Sequence, residues 1–310
     1  MMSTCEKPDR LEWMTHMRTG NWAAAWRISD RALRNRPPLI EPFPPRHLQS
    51  IWDGSPLESR RVLVRCYHGM GDTVQFIRFM PLLRQIARET IVWCQPQLVP
   101  LLQTARGIDV LLGLHDGDPA VEYDVDVELM ELPHALRTTV DTLPRSVPYF
   151  SLSGPSRDVT VNGRLRVGIV WQSGSWDPQR SIAPRLLEPM LRMMTDIDWQ
   201  IFQRGPALND WGARPGAIPA LSGILEEARA LTTLDLLISV DTLSAHLAGA
   251  LGVPTWTLLP HDADWRWMNN RDDTPWYPTM RLYRQHNRAD WSDVIARVTT
   301  SLQRLLQQSS

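Results

Sequence analysis

Residues 234–256 read LDLLISVDTLSAHLAGALGVPTW. An apolar run closes at Val240, Asp241 and Thr242 stand where a helix would start, and Gly252 with Pro254 stops that helix before a second apolar run opens at Thr255. Strand, helix and strand follow one another with almost no loop, which is the signature of a βαβ unit in a parallel sheet. The same rhythm continues on the N-terminal side, where RVGIVW (166–171), WQIFQRG (199–205) and DLLISV (235–240) read as strands. LLEPMLRMM (186–194) and ILEEARALTTL (224–234) read as helices, and PTWTLLP (254–260) as a further strand.

Further upstream the pattern appears a second time. RVLVRCY (61–67), TIVWCQ (90–95) and DVLLGL (109–114) read as strands, and TVQFIRFMPLLRQIA (73–87) and PQLVPLLQTA (96–105) as helices. Between the two sets, LSGPSRDVTVNGRLR (152–166) has no periodicity and marks a boundary. Two α/β halves of this kind would face each other across a cleft. Ahead of them, residues 9–35 read as two short helices broken at Thr19-Gly20-Asn21, with Trp13, Met17, Trp22, Trp26 and Leu33 on the facing side. This hairpin resembles a single tetratricopeptide unit with no second copy, and one repeat cannot bury a continuous core alone. Residues 36–58 are proline-rich and read as an extended connector. DWSDVIARVTTSLQRLL (290–306) carries Val294, Ile295, Val298, Leu302, Leu305 and Leu306 at helical spacing, so it must dock an apolar stripe. The expected division is 1–45 for the hairpin and connector, 46–155 and 156–285 for the two α/β halves, and 286–310 for a last helix.

Composition narrows the function. Over 310 residues the apolar share is 43%, the charged share 22% and the net charge −1, with no basic block, so neither nucleic acid nor an anionic membrane is a natural partner. Lys7 is the sole lysine, which excludes Schiff-base chemistry in the core and leaves arginine to hold any anion. Three cysteines without CxxC spacing (Cys5, Cys66, Cys94) fit a reducing compartment. No apolar run is long enough for a signal sequence core or a membrane span, and the expected compartment is the cytoplasm.

Three strand-to-helix turns carry candidate chemistry. HGMGDTV (68–74) lacks the third glycine of a dinucleotide fingerprint, Val74 standing in its place, and no Walker A loop occurs anywhere. Gly69, Met70 and Gly71 then either bring backbone close to a ligand or only make a tight turn. Asp72 has two readings: DTVQ (72–75) matches a capping box with Asp72 as N-cap and Gln75 at N3, and the same carboxylate, ionised in advance, can take a proton late in a reaction. At 241–246 the backbone N–H groups of Leu243 and Ser244 would form an anion site at a helix N-terminus, with His246 one turn on. The alternative there is plain capping by Asp241 or Thr242 with His246 packed in the core. VGIVWQSGSWDPQRSI (167–182) places Gln172 and Arg180 in or beyond a Gly/Ser loop, Arg180 being either a diphosphate ligand or a solvated loop charge. Trp265, Trp267, Trp276 and Tyr277 read as core, or as a platform for a nucleobase. No histidine, cysteine and carboxylate cluster has metal-ligand spacing, HDAD (261–264) being isolated.

Taken together, GMGDTVQFIRFMPLL, VGIVWQSGS followed by RSI, DLLISVDTLSAHLAGALGVPTWTLLP and DWRWMNNRDDTPWYPTMRLYRQ resemble, in this order, the heptosyltransferase-like glycosyltransferases of family nine, in the branch joined to tetratricopeptide repeats. The resemblance implies a GT-B fold, with 46–155 a Rossmann-like acceptor domain, 156–285 a Rossmann-like nucleotide-sugar domain and the last helix, 286–310, packing back, and it implies metal-free, inverting transfer of a sugar from a nucleotide-diphosphate donor to a saccharide, lipid-linked or protein acceptor. It implies no cofactor, the nucleotide sugar being substrate. Asp72 matches the family's proposed base, Gly69, Met70 and Gly71 its acceptor-side loop, and Asp241, Thr242, Leu243, Ser244 and His246 its donor-binding motif. Gln172 and Arg180 fall on the donor side. Leu243 departs from the glycine often found after the Asp-Thr pair. Two rivals stand beside this reading: a non-catalytic GT-B module binding a protein through its hairpin and tryptophans, and a nucleotide-sugar epimerase or hydrolase.

Overall fold

A computed structural model describes residues 7–36, 45, 46, 49, 51–153, 163–174 and 177–309. The chain forms two compact units. The first holds Met1–Ser151 together with Trp265–Asn269, and the second Leu152–Asp264 with Asn270–Ser310. Residues 154–162 of the expected boundary segment and 37–44, 47, 48 and 50 of the connector lie outside the described residues.

The first unit opens with α1 (Lys7–Arg18) and α2 (Trp22–Arg34), turning at Gly20 in the left-handed region (φ +81°). A side chain there would be strained by its backbone and would meet the Met268 methyl at 3.0 Å. Then come β1 (Arg61–Arg65), α3 (Met70–Phe76), α4 (Met80–Ile86), β2 (Glu89–Cys94), α5 (Val99–Leu102), β3 (Val110–Gly113), β4 (Val125–Glu128) and α6 (Leu132–Ala135). The sheet runs β3-β2-β1-β4, and every pairing is parallel. Val62, Leu63 and Val64 of β1 are all fully buried, so both faces of the sheet are covered, as an all-parallel sheet requires. Two expectations change here. The helix read over 73–87 starts earlier and is broken by a 3-10 turn at Ile77–Phe79. β4, with the sequence VDVE, is a strand that the apolar pattern did not reveal.

The second unit contains β5 (Leu165–Val170), α7 (Glu188–Met193), β6 (Ile197–Ile201), α8 (Ile224–Thr232), β7 (Leu236–Val240), α9 (Leu243–Ala250), β8 (Thr255–Leu259), β9 (Met280–Arg284) and α10 (Trp291–Ser309). The five strands lie in the order β6-β5-β7-β8-β9, again all parallel. β7 is central and buried along its whole length, and it feeds α9 through only Asp241 and Thr242. The stripe of α10 docks inside this unit: Trp291, Val294, Ile295, Val298 and Leu302 join the core formed by Val167, Ile169, Trp199, Ile238 and Leu258. The last helix therefore belongs to the second unit, and the segment that joins the first is Trp265–Asn269. No described helix is long and apolar enough to cross a membrane.

Candidate active site

β1 ends at Arg65, and the strap Cys66–Gly69 leads into α3. Gly69, extended at φ −64° and ψ 155°, is the N-cap, so Asp72 sits at N3 and not at the N-cap as the sequence suggested. Its carboxylate reaches back, and Oδ2 accepts the Gly69 N–H at 3.0 Å. An acid in the first turn satisfies an orphan donor and the helix dipole equally well from either position. Oδ1 lies 2.8 Å from Nη1 of Arg266, a guanidinium whose side chain is 9% exposed against 21% for Asp72. A Cβ on Gly69 would come within 3.2 Å of Asp72 Oδ2, which ties that glycine to the carboxylate. Gly69 and Met70 are exposed and Gly71 is half-buried. Gln75, expected to complete the capping box, is instead fully buried.

A second carboxylate lies close to this turn. Glu128 ends β4 and is buried; its Oε2 accepts the Met130 N–H at 2.8 Å and stands 3.7 Å from His68 Nε2. Burial, reinforced by the neighbouring Glu131, pushes the Glu128 carboxyl up to about 8. Nearby Cys66 and Cys94 are free and buried, which raises both thiols, Cys94 to about 12, and leaves them inert near neutrality.

In the second unit, Thr242 is the N-cap of α9 but makes no capping bond, because its hydroxyl is engaged with Ser239 Oγ at 3.0 Å. Asp241 is buried as well. Its Oδ2 lies 3.4 Å from Arg180 Nη1 and its Oδ1 3.4 Å from His246 Nε2, while Arg180 Nη1 also donates to the Asp241 carbonyl at 3.3 Å. Nδ1 of His246 is 3.0 Å from the Tyr277 hydroxyl. The imidazole is thus held at both nitrogens within the protein, and its role toward a ligand would run through Asp241 and Arg180. The Ser244 hydroxyl donates to Glu227 Oε1 at 2.7 Å, and Glu227 pairs with Arg204 at 3.1 Å, so the Ser244 hydroxyl proton is committed within the protein. Leu243 is the first residue of the helix. At the end of β5 the Gln172 N–H donates to Gln203 Oε1 at 2.9 Å, and Gln172 lines a pocket of about 660 Å³ with Ser173, Gly174, Ser181, Arg185 and Arg214. The structure thus gathers Arg180, Asp241, Thr242, Leu243, Ser244 and His246 at one helix terminus, places Gln172 on the adjoining loop, and keeps Asp72 with its glycines in the first unit. Among the described residues no group of three or more His, Cys, Asp and Glu side chains is arranged to hold a metal. Sequence reasoning missed Arg266, Glu128 and Tyr277 as neighbours of these groups.

Two parallel sheets with a strand-to-helix turn at the end of a central strand in each can be set beside known proteins. No protein-family model matches the chain. Among curated proteins it is similar to Protein FlbA of Caulobacter vibrioides, with 22% identity over 286 residues. That match covers 81% of this chain and 48% of FlbA, so the chain spans about half the length of the curated relative it matches. Among solved structures, the E. coli ADP-heptose LPS heptosyltransferase II superposes with a TM-score of 0.57 at 13% identity, over 80% of this chain and 99% of that one. The E. coli heptosyltransferase WaaC with ADP gives 0.54 at 10% identity, over 81% and 100%. The glycosyl transferase family 9 protein of Veillonella parvula DSM 2008 gives 0.50 at 13% identity, over 74% and 87%. The fold is that of the GT-B heptosyltransferases. Within this GT-B chain, α1 and α2 form the helical hairpin that opens the first unit.

Proposed function

We propose that the chain transfers a sugar from a nucleotide-diphosphate donor to an acceptor hydroxyl, without a metal and with inversion at the anomeric carbon. The observation that carries this reading is the N-terminus of α9 beside Arg180, where the N-cap Thr242 makes no side-chain capping bond and pairs its hydroxyl with Ser239. Its first N–H groups and an arginine fixed by Asp241 together form a site for a diphosphate. Structural neighbours support the choice of anion, since WaaC was solved with ADP and E. coli TibC with an ADP-heptose. In the proposed reaction the acceptor oxygen attacks the anomeric carbon and the bond to the diphosphate breaks. The acceptor proton passes to Asp72, and the charge growing on the leaving diphosphate is met by the Leu243 and Ser244 N–H groups and by Arg180. The partner-binding alternative drew on the hairpin tryptophans, and Trp13, Trp22 and Trp26 are all buried. Calorimetry with ADP and ADP-heptose in the presence of EDTA tests the proposal: binding is expected, and Arg180→Ala should weaken it at least tenfold. Absence of any heat at millimolar nucleotide or nucleotide sugar, or a need for a divalent ion in turnover, would refute it.

A further inference from the structure

Arg266 is far from Asp72 in sequence, and the reason it arrives there is the helical hairpin. The chain leaves the second unit after Asp264, enters the first for Trp265–Asn269, and returns. What receives it is an aromatic nest. Trp265 stands edge-on to Trp13 at 5.5 Å and to Trp22 at 6.4 Å between ring centroids, and meets Phe76 at 6.4 Å. Trp13 is on α1, Trp22 opens α2, and Phe76 ends α3, the helix whose first turn carries Asp72. The Asn269 N–H donates to the Arg18 carbonyl at 3.0 Å, and Gly20 closes on Met268, so the segment is fixed at both ends by the hairpin. Between these anchors the Arg266 guanidinium lies over Phe76 and over Trp265, each at 5.8 Å, and puts Nη1 on Asp72 Oδ1. Both Trp265 and Arg266 are 8% exposed.

We propose that the α1–α2 hairpin is a bracket for the base: by seating Trp265 against Phe76 it holds Arg266 on Asp72, and Arg266 is a positioning residue that keeps this carboxylate ionised and aimed. The inference rests on the reading of Asp72 as base. It assigns the hairpin an inward role in place of the capture of a partner, and it explains why three hairpin tryptophans are turned to the interior. Arginine suits the task because its flat fork can pair with a carboxylate while its face lies on aromatic rings. Among the ionisable groups near the turn, Glu128 pairs with His68 and repels Asp72 through their like charges, so Arg266 is the counterweight.

The test is a titration that needs no substrate. Protein labelled at the aspartate carboxyl carbons is titrated by carbon NMR, with the Asp72 signal assigned by its disappearance in Asp72→Asn. In Arg266→Gln the Asp72 midpoint is expected to rise by about 1–3 pH units, the effect of removing an adjacent opposite charge. Arg266→Lys should return it most of the way, which a merely structural role would not require. Trp13→Ala, which loosens Trp265 without touching the ion pair, should move the midpoint in the same direction. A midpoint unchanged in Arg266→Gln overturns the proposal, and one that moves in Arg266→Gln but not in Trp13→Ala overturns the part given to the hairpin. Because no turnover is involved, failure here leaves Asp72 as base intact, whereas full activity of Asp72→Asn would remove the base and leave the titration standing.

Discussion

Gly249→Ala offers a sharp test of how the second unit builds its turn. Gly249 lies inside α9, where alanine is favoured over glycine by about 1 kcal/mol on helix propensity alone. Packing opposes this. A Cβ at Gly249 would stand 2.6, 2.7 and 3.0 Å from three ring atoms of Tyr277, whose side chain is fully buried. Carbon atoms rest at about 3.5–4.0 Å, so the ring would have to retreat by roughly 1 Å into occupied space. Overpacking of this kind costs about 1–3 kcal/mol. The Tyr277 hydroxyl also holds His246 Nδ1 at 3.0 Å, a bond worth about 1 kcal/mol when lost. The steric side wins, and a net loss of about 1–2 kcal/mol is expected. Urea unfolding followed by tryptophan fluorescence, fitted to the transition of the second unit, reads it directly. In a Tyr277→Leu background the penalty should vanish and the alanine preference should show, giving a coupling of about 1–3 kcal/mol between the two sites. If Gly249→Ala is as stable as the parent or more so, the close approach of helix and ring has been misread, and with it the fixing of His246.

Other outcomes follow from the first unit. Asp72→Asn retains an acceptor for the Gly69 N–H but leaves the buried Arg266 without its anion, so it should lose about 1–3 kcal/mol in chemical denaturation as well as about 10²–10⁴ in turnover of a nucleotide heptose. Trp26→Ala removes an indole that donates to the Thr138 carbonyl at 2.6 Å and stacks on His134, and should cost about 3–5 kcal/mol in the same assay. Burial, partly offset by Asp30, lowers the His134 pKa below its usual 6.5, so the unfolded chain takes up this proton first as pH falls. Asp30 is raised by burial but more strongly lowered by hydrogen bonds from His134 and Arg137, so its stabilisation is present above the unfolded value of 3.8 and lost below it. Denaturation midpoints should therefore fall as pH drops below about 6.5, and His134→Gln should flatten the first part of that decline. Glu128 has the opposite sign: raised to about 8, it favours the fold below its unfolded value of 4.5 and loses that contribution as pH rises from there through about 8. Glu128→Gln should then gain stability relative to the parent at pH 8.5, read by thermal melts across that range.

The strands that carry the two turns were legible because a buried parallel strand writes itself as an unbroken apolar run. RVLVR and LLISV are of this kind, and the second is buried at every position. β4 escaped because VDVE is short and half acidic, residues that strands disfavour, and Glu128 was lost with it as a charged group at a strand's C-terminal end. β9, MRLYR, lay hidden in a tryptophan-rich segment and its alternation was too short to stand out. For Asp72 the residue was legible but its helix position was not. An acid at the N-cap accepts an N–H from N2 or N3 and an acid at N3 accepts the N–H of the N-cap, and both suit the helix dipole, so composition cannot separate the two positions. The donor-side group at 241–246 was readable as a strand entering a helix. That Thr242 turns to Ser239 and Asp241 to Arg180 and His246 depends on side-chain directions set by neighbouring strands. Arg266 had no local signal at all, since its partner lies in the other half of the sequence and only the path of the chain brings them together.

That path bears on how the molecule is made. A ribosome delivers the first sheet, its helices and the hairpin early, yet the nest between Trp13, Trp22 and Phe76 stays open until Trp265 has been synthesised and has cleared the exit tunnel. At about 5–20 residues per second the second unit's first four strands would already be out by then. The unit that begins first is thus completed late, and a fragment ending at Ser151 would carry an unfilled aromatic hole and an Asp72 without its arginine.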